Sequence, residues 1–401
     1  MAVNQVPAGP VLEIRVAAAH TLELRGARLA RWRAGEGEVR RFTLHATSTL
    51  TSLRVIAWED HVCWTSPGEV EQCESGPLEV ACASGVATDG SRGGAAVAGP
   101  VTVDLGKGSS TSYRGVIRVH AAQGVLAVTN LVSLEVYLES VVASELSASV
   151  ASLEALKAQA VAARTFVLHG IQAREIRGQP VEFAADQSFQ VYGGVEKEHP
   201  KASQAVRETV GEVLTFRERL FRTYFHSTCG GKTASGAEIF GEAPIEPLGG
   251  VECSDCDGAR YSRWSSAWSW AELLSALRPL DARIPGGFER IDSIEVADRE
   301  PAGRARYVRV QHPGGSFEVL AVRFRALLGA RRENPVRSTL LAISRREEGL
   351  VFEGRGWGHG VGLCQAGAQA KGERMDYRAV LRSYYPGSVV EKAYAASSGH
   401  E

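Results

Sequence analysis

His226 and Cys229 stand in an H-x2-C spacing within FHSTCGGKT, and Cys253 and Cys256 in a C-x2-C spacing within VECSDCDG. Each pair sets two metal donors three residues apart across a tight turn, the separation at which both side chains reach one ion, and Gly230 and Gly231 supply such a turn. The two pairs together make the ligand set of a zinc site with three thiolates and one imidazole. If protein supplies all four ligands, the metal is closed to substrate and structural; with water in one position it would be a Lewis acid. A Cys253–Cys256 redox pair or disulfide, with His226 an ordinary strand residue, uses the same residues without a metal.

The second candidate is a carboxylate. In LEVYLESVVASEL, about 100° of rotation per residue gathers Leu134, Tyr137, Leu138, Val141, Val142 and Leu146 on one arc of a helix, with Glu135 and Glu139 at its edge. Glu145 projects from the centre of that arc. A carboxyl group held against apolar neighbours loses hydration, which raises its pKa and suits it to act as a general acid near neutral pH. The alternative puts Glu145 where the helix and its stripe finish, reaching solvent or an arginine such as Arg164.

A third string, EGRGWGHGVGLCQAGA, has Gly354, Gly356, Gly358, Gly360 and Gly362 at strict period two. Extended, it would turn all five glycines to one face and Arg355, Trp357, His359, Val361 and Leu363 to the other. The bare face allows another backbone or a flat ligand to approach closely. The other face offers a guanidinium, an indole and an imidazole, suited to stacking a sugar ring and binding its hydroxyls or a lactyl carboxylate. The run fits neither of the common glycine-rich phosphate motifs. A close-packed strand crossing with no ligand is the structural alternative. Cys229 with His359 would make a thiol hydrolase, but Cys229 already has a place among the zinc ligands.

These residues need elements to hold them. Over 11–129 the runs LEIRV, TLELR, SLRVIAW, VTVDL, GVIRVHA and GVLAVTN alternate as half-buried strands, and 85–100 is turn-rich and reads as a mobile loop. Helical spacing begins after Ser133 and returns in SLEALKAQAVAARTFVLHGIQAREI, where Ser152 is placed to cap a long helix. Shorter strands and helices alternate to the end of the chain. The pattern predicts an α+β fold: a β-rich N-terminal part, 11–129, packed with a mixed α+β catalytic core, 130–391, and a polar tail, 392–401.

Composition narrows the class. With 45 Lys and Arg against 46 Asp and Glu, the net charge of -1 lacks the basic excess of a general nucleic-acid binder. No apolar run is long enough to span a membrane as a helix. The first residues, MAVNQVPAGPVLEIRV, show no signal-peptide pattern, because Glu13 and Arg15 interrupt the apolar stretch. Seven cysteines cannot all pair within the chain, and Cys63, Cys73 and Cys82 are close enough for one bridge with three possible pairings.

In this order, LEVYLESVVASEL with ALKAQAVAARTF, FHSTCGGKT, and GRGWGHGVGLCQAGA ending in YYPGS resemble the SpoIID/LytB family of bacterial cell-wall proteins, over about 11–390. The resemblance implies peptidoglycan metabolism in septation or sporulation. Two activities are implied: a lytic transglycosylase on glycan strands stripped of peptides, or an enhancer of an amidase partner. It places the acid/base on Glu145, zinc near His226, and Arg355, His359 and Gln365 along the substrate groove. Asp186, Gln190 and Tyr192 in ADQSFQVYGG also match a family string, which puts Gln190 and Tyr192 among the substrate-binding residues. The family's Met-Pro after the glutamate is Leu146-Ser147 here, and its Ser before the Gln is Cys364. Action outside the cytoplasmic membrane follows from the resemblance, not from any leader in the sequence.

Overall fold

The computed structural model describes residues 9–26, 29–33, 41–42, 51–68, 70–83, 97–106, 108–186, 189–283, 289–329 and 334–394. It is a strand-rich α+β protein, as the mixed periodicities predict. Most of the turn-rich 85–100 segment and all but the first residues of the 392–401 tail lie outside the described residues. The described residues divide into two compact units, one from 1–150, 167–212 and 392–401, the other from 151–166 and 213–391.

That division differs from the boundary read at 130, for a local reason. Helix α1 (Leu134–Glu145) follows directly on the strand Val125–Ser133, and the strand Glu182–Ala184 pairs in parallel with Val11–Ala19. Both segments are thereby bound to the N-terminal strands. Helix α2 (Leu153–Ile176) gives its first part to the second unit and its remainder to the first.

In the first unit, one sheet runs in the order Glu182–Ala184, Val11–Ala19, Val125–Ser133, Val116–Ala122, Leu78–Ala83, Leu29–Arg33, Arg41–Phe42. A second runs Ser110–Tyr113, Val101–Asp104, Thr21–Arg25, Ser52–Trp58, His61–Thr65, Gln72–Glu74. Alternation sets the inward faces: Leu12, Ile14, Leu22 and Leu24 are buried, whereas Val11, Arg15, Thr21 and Arg25 are exposed. Cys63 and Cys73 face each other on adjacent strands and form a disulfide, the one of the three pairings that register allows. Cys82 remains a buried thiol that donates to the carbonyl of Pro100 at 3.1 Å.

Helix α1 packs Tyr137, Leu138, Val141 and Val142 into this unit with no exposure. Ser133 starts the helix as expected, but its hydroxyl makes no capping bond. At α2 the expected cap forms: the Ser152 hydroxyl accepts from Ala155 N–H at 3.2 Å. Helix α3 (Pro200–Glu208) packs on α1, with Ser203 donating to Glu139 at 2.7 Å.

The second unit has two cores. One gathers Val161, Ala162, Leu214, Leu363, Val380, Leu381 and Tyr384 around four cysteines. The other fills the space between the sheet Trp264–Ser269, Gly349–Gly354, Leu341–Arg346, the sheet Ser293–Arg299, Ala305–His312, Gly315–Leu320, and the helices Trp270–Leu277 and Ala321–Gly329. The glycine segment joins the two cores, and it is not an extended strand. Regular pairing stops at Gly354 and resumes at Leu363–Cys364, parallel to Phe225–His226. Between them Gly356, Gly358, Gly360 and Gly362 have φ of 76°, 109°, 88° and 72°, the left-handed region that side chains disfavour.

Candidate functional site

Glu145 is the last residue of α1. Half-buried, it sits at the finish of the stripe and not sealed in its centre, which is the alternative the sequence left open. Its Oε1 accepts the Val191 N–H at 3.1 Å. A carboxylate held by a backbone donor has a fixed direction. Spacing within the helix gave no sign of this partner, which lies 46 residues downstream.

The loop carrying Val191 is anchored on both sides. Gln190 is buried and its Oε1 accepts from the Tyr137 hydroxyl at 3.2 Å. Tyr192 is also buried; its hydroxyl donates to Asn130 Oδ1 at 2.9 Å, and its ring lies 4.8 Å from that of Tyr137. Burial pushes both tyrosine hydroxyls far above the usual range. Gln190 and Tyr192, expected to bind substrate, have the Gln190 Oε1 and the Tyr192 hydroxyl engaged inside the unit, on either side of the Val191 amide. Glu135 proves the most buried acid of α1, accepting from the Gly211 N–H at 3.3 Å and the Tyr394 hydroxyl at 2.5 Å.

In the second unit the sulfurs of Cys229, Cys253, Cys256 and Cys364 all lie within 4.8 Å of one another, and all four residues are buried. A tetrahedron with metal–sulfur bonds of about 2.3 Å has sulfur–sulfur edges of roughly 3.8 Å, so this set fits one thiophilic ion. Backbone N–H groups already point at the sulfurs: Cys229 N–H at 3.2 Å and Gly367 N–H at 3.4 Å from Cys364, and Gly231 N–H at 3.4 Å from Cys229. The Tyr384 hydroxyl is 3.2 Å from Cys253. Such donors orient thiolate ligands and stabilise their charge. Hydrogen bonds among the sulfurs hold the Cys253 and Cys256 thiols below the usual range and Cys229 above it, while burial raises Cys364.

His226 is not part of this cluster. Its Nδ1–H donates to the Val361 carbonyl at 3.0 Å, which leaves Nε2 a bare lone pair, buried and without a hydrogen-bond partner among the described residues. In place of the expected histidine the cluster gathers a fourth cysteine, because the parallel pairing of Phe225–His226 with Leu363–Cys364 sets Cys364 directly opposite His226 and delivers its sulfur to the other three. The thiol-hydrolase pairing fails on the same geometry. Cys229 faces Cys256 at 3.3 Å, and both ring nitrogens of His359 are taken, Nδ1 by Val361 N–H and Nε2–H by the Phe225 carbonyl, each at 3.0 Å.

Those two bonds also correct the place of His359 among substrate ligands. Burial of its ring nitrogens, with the guanidinium groups of Arg325 and Arg304 nearby, pushes the pKa of this half-buried imidazole down to about 3, so it is neutral. Gln365 is buried, its Nε2 donating to Gln159 at 3.3 Å, and it too is corrected to a packing role. Arg355 and Trp357 keep exposed surface. Arg355 pairs with Asp257 at 3.5 Å, and Trp357 meets Tyr261 edge-on at 4.5 Å under the guanidinium of Arg337, 4.9 Å from the indole. The bare face of the glycine segment is filled by the chain itself: a Cβ at Gly356 would stand 2.4 Å from the Thr228 carbonyl, one at Gly358 2.9 Å from His226, and one at Gly362 2.0 Å from the Tyr224 carbonyl.

A family model described as stage II sporulation protein matches residues 122–216, the stretch that holds Glu145, Gln190 and Tyr192. A model of a domain of unknown function matches residues 250–362. An uncharacterized protein of Brachyspira hyodysenteriae is 32% identical over 276 residues, covering 69% of this chain and 71% of that one. Stage II sporulation protein D of Bacillus subtilis is 26% identical over 282 residues, 66% of this chain and 76% of the relative. The chain belongs to the SpoIID/LytB family. The amidase enhancer of Bacillus subtilis is 27% identical over 299 residues, which are 63% of this chain and only 40% of that longer protein. Among the described residues of this family member, no helix is long and apolar enough to cross a membrane.

Proposed function

We propose that this SpoIID/LytB protein is a cell-wall protein that cleaves the bond between N-acetylmuramic acid and N-acetylglucosamine in peptide-free glycan strands, as a lytic transglycosylase. The observation that carries the reading is Glu145, half-buried at the end of a rigid helix with Oε1 held by the Val191 amide. Glu145 would protonate the glycosidic oxygen, then as carboxylate take the proton of the muramoyl 6-hydroxyl as that oxygen closes on C1. The product is an anhydro sugar and no water is consumed. One carboxylate suffices because the nucleophile belongs to the substrate, whereas hydrolytic glycosidases use two. The Val191 N–H supports the carboxylate at the stage when its proton has left. In the second unit, Trp357 with Tyr261 and Arg337 offers a surface for a sugar ring.

Zinc is proposed for Cys229, Cys253, Cys256 and Cys364. With four protein ligands the ion has no open position, so it contributes folding energy and no Lewis acidity. Export is the proposed location, supported by the disulfide between Cys63 and Cys73, a bond of oxidising compartments. The similarity to an amidase enhancer favours a second reading, in which the chain binds glycan and stimulates an amidase without turnover. Mass analysis of products from peptide-free glycan decides between them. Anhydro ends, lighter by the roughly 18 mass units of the water that hydrolysis adds, support the first reading; intact glycan with stimulated amidase supports the second.

A further inference from the structure

Arg304 is a fully buried arginine whose guanidinium has no carboxylate partner among the described residues. Its Nη2 donates to the Cys229 carbonyl at 2.5 Å, while Nε and Nη1 have no hydrogen-bond partner there. Gly360 is pressed against it: a Cβ would stand 2.3 Å from the guanidinium carbon, at a backbone φ of 88°. Glu300, an acid whose charge acts on Arg304, is occupied elsewhere, its Oε1 by Arg304's own N–H at 2.9 Å and its Oε2 by Ala302 N–H at 2.8 Å. Arg325 adds a second, half-buried guanidinium to the neighbourhood, its Nε also without a hydrogen-bond partner among the described residues and its Nη1 reaching the Arg337 carbonyl at 3.4 Å. A fully buried guanidinium with no carboxylate bonded to it, beside a second half-buried one, leaves a local positive surplus, and a buried unpaired charge is strongly unfavourable.

A divalent ion held by four thiolates has the opposite fault, since two negative charges remain on a buried cluster. We propose that Arg304 is the counter-cation of a tetrathiolate metal centre formed by Cys229, Cys253, Cys256 and Cys364, clamped against it by the close approach of Gly360. The inference rests on the reading of the four thiols as metal ligands and adds what neutralises them. It gives a purpose to an arginine buried in the matched domain of unknown function, and to the glycine that lies on it.

The test uses the full chain purified without chelator, with zinc content, the charge-transfer spectrum after cobalt substitution, and competition against a chromophoric chelator as readouts. Wild type should hold one ion with a four-thiolate spectrum. Arg304→Met, which keeps length and loses charge, should keep the spectrum but release metal roughly 10- to 100-fold more readily, the usual loss when an outer-shell partner of a metal ligand is removed. Arg304→Lys should fall between the two. Equal retention by wild type and R304M, or identical loss in R304M and R304K, overturns the counter-cation. If R304M fails to fold, R304K decides: a four-thiolate spectrum supports the proposal, and loss as complete as in Cys256→Ser overturns it. Metal-free wild type removes the zinc reading itself, a failure distinct from metal-loaded wild type with an indifferent R304M.

Discussion

At the scale of single residues, the proposed acid depends on neighbours buried within its own unit. Tyr192 and Gln190 fix the loop whose Val191 amide holds Glu145, so they are positioning residues. Tyr192→Phe removes one buried hydrogen bond, to Asn130, and is expected to cost about 1 kcal/mol of stability. Under the transglycosylase reading it should lower kcat more than it raises KM, and steady-state kinetics on defined glycan check that split. The proposed metal ligands give a second residue-scale prediction. Cys364→Ser should abolish stoichiometric zinc, whereas His226→Gln should keep it; zinc lost only from H226Q would return the histidine to the ligand set in place of Cys364. Cys364 was visible in the sequence as a departure from the family's serine, but it lies 135 residues beyond Cys229. No local spacing joins such residues; the pairing of Phe225–His226 with Leu363–Cys364 does.

At the scale of elements, helices and alternating strands were legible because one apolar period ran for whole turns or whole strands. Helix α1 begins after Ser133 and α2 is capped by Ser152, as the pattern predicts. The glycine segment misleads for a physical reason. Period two in glycine is shared by an extended strand with one bare face and by a chain in which every second residue turns left-handed, and composition cannot separate them. Close approach of chain to chain was legible; which groups approach was not. Gly360→Ala puts a methyl group at a left-handed φ and into the Arg304 guanidinium. Backbone strain alone costs about 1–2 kcal/mol, and displacement of Arg304 should weaken metal retention in the same variant. Thermal unfolding with metal analysis checks both, and a G360A protein as stable and metal-loaded as wild type would contradict the packing described.

At the scale of the whole molecule, two kinds of covalent or metal staple serve two separate units. The disulfide closes a ten-residue separation in the first unit, and replacing both Cys63 and Cys73 with Ser should cost about 2–3 kcal/mol by the usual loop-closure argument. The four remaining thiols near one another belong to the second unit, so a strong chelator should unfold that unit and leave the disulfide intact, which limited proteolysis with thiol counting would show. Under the transglycosylase proposal, action on glycan rests on Glu145. The most direct measurement is product mass from peptide-free glycan treated with wild type, Glu145→Gln and the control Glu139→Gln, each checked for fold and glycan binding. Anhydro ends should form with wild type and E139Q and fall by roughly 10²- to 10⁴-fold with E145Q, the usual contribution of general acid/base assistance. Release of anhydro ends by E145Q at the wild-type rate would contradict the mechanism.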